Sequence, residues 1–159
     1  MAQGDVVFFD TFLSDLCKAD DTATNHHFGT TPDTIKCMLI TATTAPTTAT
    51  ADSRYGAGGT VNWADTEVLD TGTYTDGGNA CASPTVAISG GLVEIDFDNP
   101  ASWASDPLND TGVKWGIIYN DTNTNKTAIG FIDLGTAFDM TTGPLTITFG
   151  TPVATLNQA

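Results

Sequence analysis

Four groups of residues in this chain have types and spacings that chemistry could use. The first is the pair His26-His27, two imidazoles suited to metal ligation or proton transfer. Neighbours in a loop or strand point apart, and no third ligand lies close in sequence, so the pair reads as a solvated loop. The second is Glu94, Asp96 and Asp98, carboxylates at every other position. Acid/base work needs burial to separate their pKa values, whereas alternation with Val93, Ile95 and Phe97 puts all three on the wet face of a half-buried strand. The third is Asp121, Asn123 and Asn125, which match the start of a calcium loop. Its sixth position is Lys126 instead of Gly and its twelfth is Ile132 instead of Glu, so a polar turn is the better account. The fourth is Cys17, Cys37 and Cys81, odd in number, far apart and without CxxC spacing, which read as buried free thiols.

Other catalytic signatures are missing from the sequence. No Gly-x-Ser-x-Gly elbow occurs, and Ser89-Gly90-Gly91 has the look of a hairpin. No Gly-Lys-Ser or Gly-Lys-Thr follows the glycine pairs Gly58-Gly59, Gly77-Gly78 and Gly90-Gly91, which are turn-like. With two histidines in one loop, the acid/base repertoire is thin. The sequence therefore assigns no catalytic residue, no cofactor and no metal ligand, and it is read as a non-enzyme.

The elements that position these groups follow from composition and periodicity. The chain has 159 residues, 29 of them Thr, 16 Gly, four Lys and two Glu, a stock rich in β-branched side chains and poor in helix formers. One domain spanning 1–159 accommodates that length. Phe9, Phe12, Leu13, Leu16 and Cys17 form one stripe, which predicts a short N-terminal helix over about 5–18. From Thr34 the period changes, and Ile35 to Ile40 predict a central strand covered on both faces. A brief helical turn capped by Asn62 is expected at Trp63. Thr85–Ser89 and Leu92–Asp98, joined by Gly90-Gly91, predict an antiparallel hairpin. Val113, Trp115, Ile117 and Tyr119 lead into a polar tip and a return strand through Ile129, Phe131 and Leu134. A further strand is expected through Leu145, Ile147 and Phe149, with a short edge at 153–156. The sum is an all-β fold, an antiparallel β-sandwich or jelly-roll-like domain with one short N-terminal helix.

Charge and hydropathy exclude several partners. A net charge of −14 opposes nucleic acid and anionic membranes, because each phosphate contact calls for a cation. No apolar run approaches the ~18 residues that span a bilayer. The start Met1-Ala2-Gln3-Gly4-Asp5 has an acid where a secretory signal carries a base, so synthesis in the cytosol is expected.

Several stretches in order carry a family resemblance. They are Asp33-Thr34-Ile35-Lys36-Cys37-Met38-Leu39-Ile40-Thr41, then Thr71-Gly72-Thr73-Tyr74-Thr75-Asp76-Gly77-Gly78, then Ile95-Asp96-Phe97-Asp98 running on to Ser102-Trp103. Gly116-Ile117-Ile118-Tyr119-Asn120-Asp121-Thr122, Ile129-Gly130-Phe131-Ile132-Asp133-Leu134-Gly135 and Gly143-Pro144-Leu145-Thr146-Ile147-Thr148-Phe149 follow. Together they resemble the small acidic structural proteins of tailed bacteriophages and prophages, of the capsid decoration or cement type. The resemblance covers nearly the whole chain. It implies a virion structural protein made in the host bacterial cytoplasm, bound to the major capsid protein on the outside of the head, as a homo-oligomer (dimer or trimer). A tail or fibre component is the alternative within that class. A carbohydrate-binding module, with Trp63, Trp103 or Trp115 facing a sugar, is the alternative outside it. Trp103, after Pro100 in a loop, is the expected exposed ring, and Trp115 the buried one. The plain segments 41–54 and 150–159 are expected to act as arms toward other subunits, because Thr/Ala stretches bury too little surface to order themselves.

Overall fold

The computed structural model describes residues 5–18, 21–41 and 44–157. Among the described residues, ten strands and one short helix form an all-β sandwich. In chain order they are β1 (Val6–Phe8), α1 (Asp10–Leu16), β2 (Ile35–Thr41), β3 (Ser53–Arg54), β4 (Val61–Asn62), β5 (Asn79–Cys81), β6 (Thr85–Ser89), β7 (Leu92–Asp96), β8 (Val113–Asn120), β9 (Ala128–Phe138) and β10 (Ala154–Asn157). The main sheet is antiparallel with order β1-β9-β8-β2-β5, and the second is antiparallel with order β10-β7-β6. β3 and β4 make a small parallel pair.

Both faces of the main sheet are buried, which explains why β2 and β8 read as nearly continuous apolar runs. Cys37, Leu39, Ile118, Ile129 and Ile132 point into a core shared with Ile95 and Ala154 of the second sheet and with Phe12 of α1. Met38, Ile40, Ile117 and Phe131 point the other way, against Phe9, Trp63 and Tyr55. The register Met38↔Ile117 and Cys37↔Ile118 keeps each strand's alternation in step with its neighbour. Asn62 caps the 3-10 turn Trp63–Thr66 as expected, its side-chain oxygen accepting from Ala64 N at 3.2 Å.

Three expectations are corrected here. The helix does not run over 5–18: Val6-Val7-Phe8 is a strand on the edge of β9, and Phe9 is extended. Two valines and two phenylalanines favour a pleated partner over a first helical turn. Residues 145–149 alternate in burial as a strand should and pack Leu145, Ile147 and Phe149 into the core, yet they form no ladder, and their one bridge, Trp103↔Leu145, is to a residue outside the strands. Alternation reports which side chains are covered and is silent on whether the backbone finds a partner strand. Cys17 is exposed at the end of α1, while Cys37 and Cys81 are buried. The segments expected to act as arms make contacts within the chain: 154–157 pairs with β7, and Thr48 O accepts from Asp10 N at 2.9 Å. Residues 42–43 and 158–159 of those arms lie outside the described residues.

Candidate interaction surface

The groups singled out for chemistry sit in three places. The loop 22–34 folds over the β8–β9 turn and is held by a buried polar network around Asn120. Asn120 Nδ2 approaches Asp33 Oδ2 at 2.6 Å and His26 Nδ1 at 3.2 Å, while its side-chain oxygen accepts from the backbone N–H of Thr122 and Asn123. Two backbone donors on one oxygen fix the orientation of the amide. Asn123 extends the network to Asn25 O and Thr127. His26 is therefore buried, contrary to the solvated loop expected, and only His27 is exposed. Its ring lies 5.3 Å from Phe12 and 6.3 Å from Phe28. Burial lowers its pKa to about 4, against the pull of Asp33. The two imidazoles do diverge as adjacent residues should, and among the described residues no three His, Cys, Asp or Glu side chains gather as metal ligands.

Asp121, the first residue of the calcium-like motif, is occupied by cations of the chain itself. Lys36 Nζ lies 2.9 Å from Oδ2 and Lys126 Nζ 2.8 Å from Oδ1. Burial pushes this carboxyl up, but the two ammonium groups outweigh it and hold it below the ordinary range. Nearby, all three tyrosines of the chain converge on Glu67, a grouping the sequence did not signal. Glu67 Oε1 accepts from Tyr74 OH and from Gly77 N, each at 2.7 Å, Tyr55 stacks on Tyr119 at 4.7 Å, and Tyr119 OH donates to Gly77 O at 3.0 Å. Burial raises the Glu67 pKa and pushes Tyr55 up to about 12. These groups are spent on one another, and the cluster ties 67–78 to β2 through Leu39 N, which donates to Tyr74 OH at 3.1 Å.

The three tryptophans are covered to different degrees. Trp103, expected to be exposed, is 3% exposed beneath the 140s segment, because its backbone bridges Leu145. Trp63 is buried and donates Nε1–H to Ser53 Oγ at 2.6 Å. Trp115, expected to be buried, is half-buried, with Lys114 Nζ 4.9 Å over its ring and Phe131 edge-on at 6.1 Å.

The surface itself is where the fold leaves something unused. In the second sheet, directly opposed residues share a face, so Ala154, Ile95 and Val86 form one apolar row and Leu156, Val93 and Ile88 the next. Along the first row exposure climbs from 9% at Ala154 and 2% at Ile95 to 49% at Val86, and Ile88 in the second row is 82% exposed. The sheet's inner, apolar face thus continues past the core it covers and ends on β6, all five of whose residues are exposed. β6 is an edge strand, and among the described residues no strand lies along its outer side. It carries no charge in a chain with 19 acids, so it lacks the charged residues that commonly protect edges. Glu94 and Asp96 lie one strand inward on the opposite face, where the sequence placed them. A groove of about 300 Å³ between α1 and β10, lined by Phe12, Leu13 and Leu156 among others, adds to the apolar surface. Leu69 and Leu108 form a second exposed spot, their loops joined by Thr71 Oγ1 donating to Leu108 O at 2.7 Å. Comparison with protein-family models, with curated proteins and with solved structures returned no match.

Proposed function

We propose that the protein is a virion structural component of the capsid decoration type, which binds the outer surface of a tailed-phage head through the major capsid protein and stabilises the shell. The observation that carries this reading is the apolar overhang on an uncharged edge strand, in a chain otherwise strongly acidic. Such a surface suits contact with another protein chain, as assembly of the expected homo-oligomer on a repeating shell requires, and differs from a substrate cleft. The motifs behind the phage resemblance support it from another side. Asp33 to Thr41, Gly116 to Thr122 and Ile129 to Gly135 coincide with β2, β8 and β9 and the turns beside them, so the resemblance concerns the sheet on which the rest is built. The charge of −14 favours the exterior of the head, since packaged DNA repels it. The proposal includes no enzymatic activity and no nucleic-acid or membrane partner.

A protein that binds the assembled shell and not its separated subunits stabilises the shell by mass action, and many weak sites add up. Electron cryo-microscopy of the particle should show this sandwich on the head exterior in hundreds of copies. Location on the tail, in a few tens of copies or fewer, would replace this reading with the tail or fibre alternative.

A further inference from the structure

We infer that β6 is a self-complementary seam, through which two copies of this chain join into one continuous six-stranded sheet of order β10-β7-β6-β6′-β7′-β10′. This deepens the proposed function, on which its oligomeric premise rests, by naming the surface that makes the homo-oligomer.

The argument starts from the hairpin. Gly90 and Gly91 both have positive φ, 58° and 83°, the geometry of a two-residue turn that L side chains resist. In such a turn the residues flanking the connection, Ser89 and Leu92, close it with a hydrogen bond. Pairs then alternate along the ladder: Ser89↔Leu92, Ala87↔Glu94 and Thr85↔Asp96 exchange hydrogen bonds with β7, and Ile88↔Val93 and Val86↔Ile95 do not. The N–H and C=O groups of Val86 and Ile88 therefore point outward. Each copy presents two donors and two acceptors on a strand that no other strand among the described residues pairs on this side.

A second antiparallel copy centred on Ala87 uses every one of them. That register sets Val86 opposite Ile88′ and Ile88 opposite Val86′, both as hydrogen-bonded pairs, with Ala87 opposite Ala87′ between them. Shifting the register by one residue turns the free groups away from each other, and shifting it by two leaves one pair beyond the strand. The same register serves the side chains. Val86 and Ile88 meet Ile88′ and Val86′ on the apolar face, and Thr85 meets Ser89′ on the polar face. The symmetry is isologous, so the contact closes as a dimer and cannot propagate.

Charge selects the same place. Two chains of −14 repel, and an acidic copy is tolerated only where no carboxylate faces its image. At the seam the nearest acidic rows, on β7 and β7′, are three strand spacings apart, about 14 Å. That exceeds the screening length of about 8 Å at physiological ionic strength. Association should accordingly strengthen as salt is raised.

The test uses the full chain and sedimentation analysis. The wild type should dimerise reversibly. V86K/I88K and V86E/I88E each place like charges directly opposite at both pairs, and each should weaken self-association about tenfold or more. An equimolar mixture of the two sets Lys against Glu at the same pairs and should restore dimers. These side chains are largely exposed, so the variants should fold, and unchanged circular dichroism checks it. In a C17S background, A87C should form an intermolecular disulfide on mild oxidation, since a non-hydrogen-bonded pair has Cα atoms about 4.5 Å apart, and S89C should not. A wild type that stays monomeric at high concentration and high salt, double variants that still dimerise, or equal crosslinking at 87 and 89 would overturn the seam. Head binding is scored separately by co-sedimentation of each monomeric variant with shells. Loss of dimers with intact binding supports the seam and places the shell contact elsewhere on the chain, and a dimer that never binds shells keeps the seam and rejects the proposed function.

Discussion

His26 makes the fold pH-sensitive in a window set by its burial. The ring is 6% exposed, wedged between Phe12 and Phe28, and its Nδ1 faces the Asn120 amide nitrogen, which is already oriented as a donor by its backbone partners. Desolvation opposes the imidazolium most, and a protonated Nδ1 would also set donor against donor. Its pKa falls from 6.5 to about 4, which at 1.36 kcal/mol per pH unit is about 3 kcal/mol. Above pH 6.5 the ring is neutral in both states and the linkage is silent. Between pH 6.5 and about 4 the unfolded chain binds a proton that the folded chain refuses, so stability falls as pH falls. Below about 4 both states are protonated and the whole loss is expressed. Glu67, raised by burial, works in the opposite direction in the lower part of this window. The carboxylates held low, such as Asp121, lose their contribution only below it. A His26→Gln variant carries all those groups but cannot titrate at 26, so the difference between the two proteins isolates the ring. Urea unfolding at steps from pH 7.5 to 4 should show the wild type losing about 3 kcal/mol relative to the variant. Parallel stability curves, or a His26 imidazole proton resonance titrating near pH 6.5, would refute the reasoning.

Three other substitutions and probes follow from the packing. Asn120→Ala removes the donor shared by Asp33 and His26 and the acceptor for two backbone N–H groups, and should cost about 3 kcal/mol or more by chemical denaturation; a cost under about 1 kcal/mol would mean that water replaces the amide. Gly78 has φ +68°, and a Cβ there would meet Cys37 O at 2.1 Å and Met38 Cα at 2.6 Å, so Gly78→Ala should destabilise by at least about 2 kcal/mol and shift the amide resonances of β2. Cys17 should react with a thiol reagent in the folded protein, whereas Cys37 and Cys81, the latter pushed up to about 12 by burial, should react only on unfolding; equal rates at all three sites would contradict the buried core.

Much of this architecture was legible in the chain because it depends on local period and turn chemistry. The alternation of Val93, Ile95 and Phe97 with acids, the Gly90-Gly91 turn, the Asn62 cap and the two-sided apolar run of β2 each report a physical preference that the fold then honours. What local pattern could not determine is where a side chain stands relative to residues far away in sequence. His26 and Asn120 are 94 positions apart, and only their contact makes the imidazole a buried group instead of a solvated one. Trp103 is covered because a distant segment bridges its backbone at Leu145. Val6 to Phe8 fall inside the span expected to be helical but outside its apolar stripe, and an open edge on β9 offers backbone hydrogen bonds that a first helical turn leaves unmade. The overhang of β6 likewise exists only because the core ends at Ile95 and Ala154 while the strand pairing runs on. Periodicity is a property of neighbours along the chain, and burial is decided by whichever element packs across it.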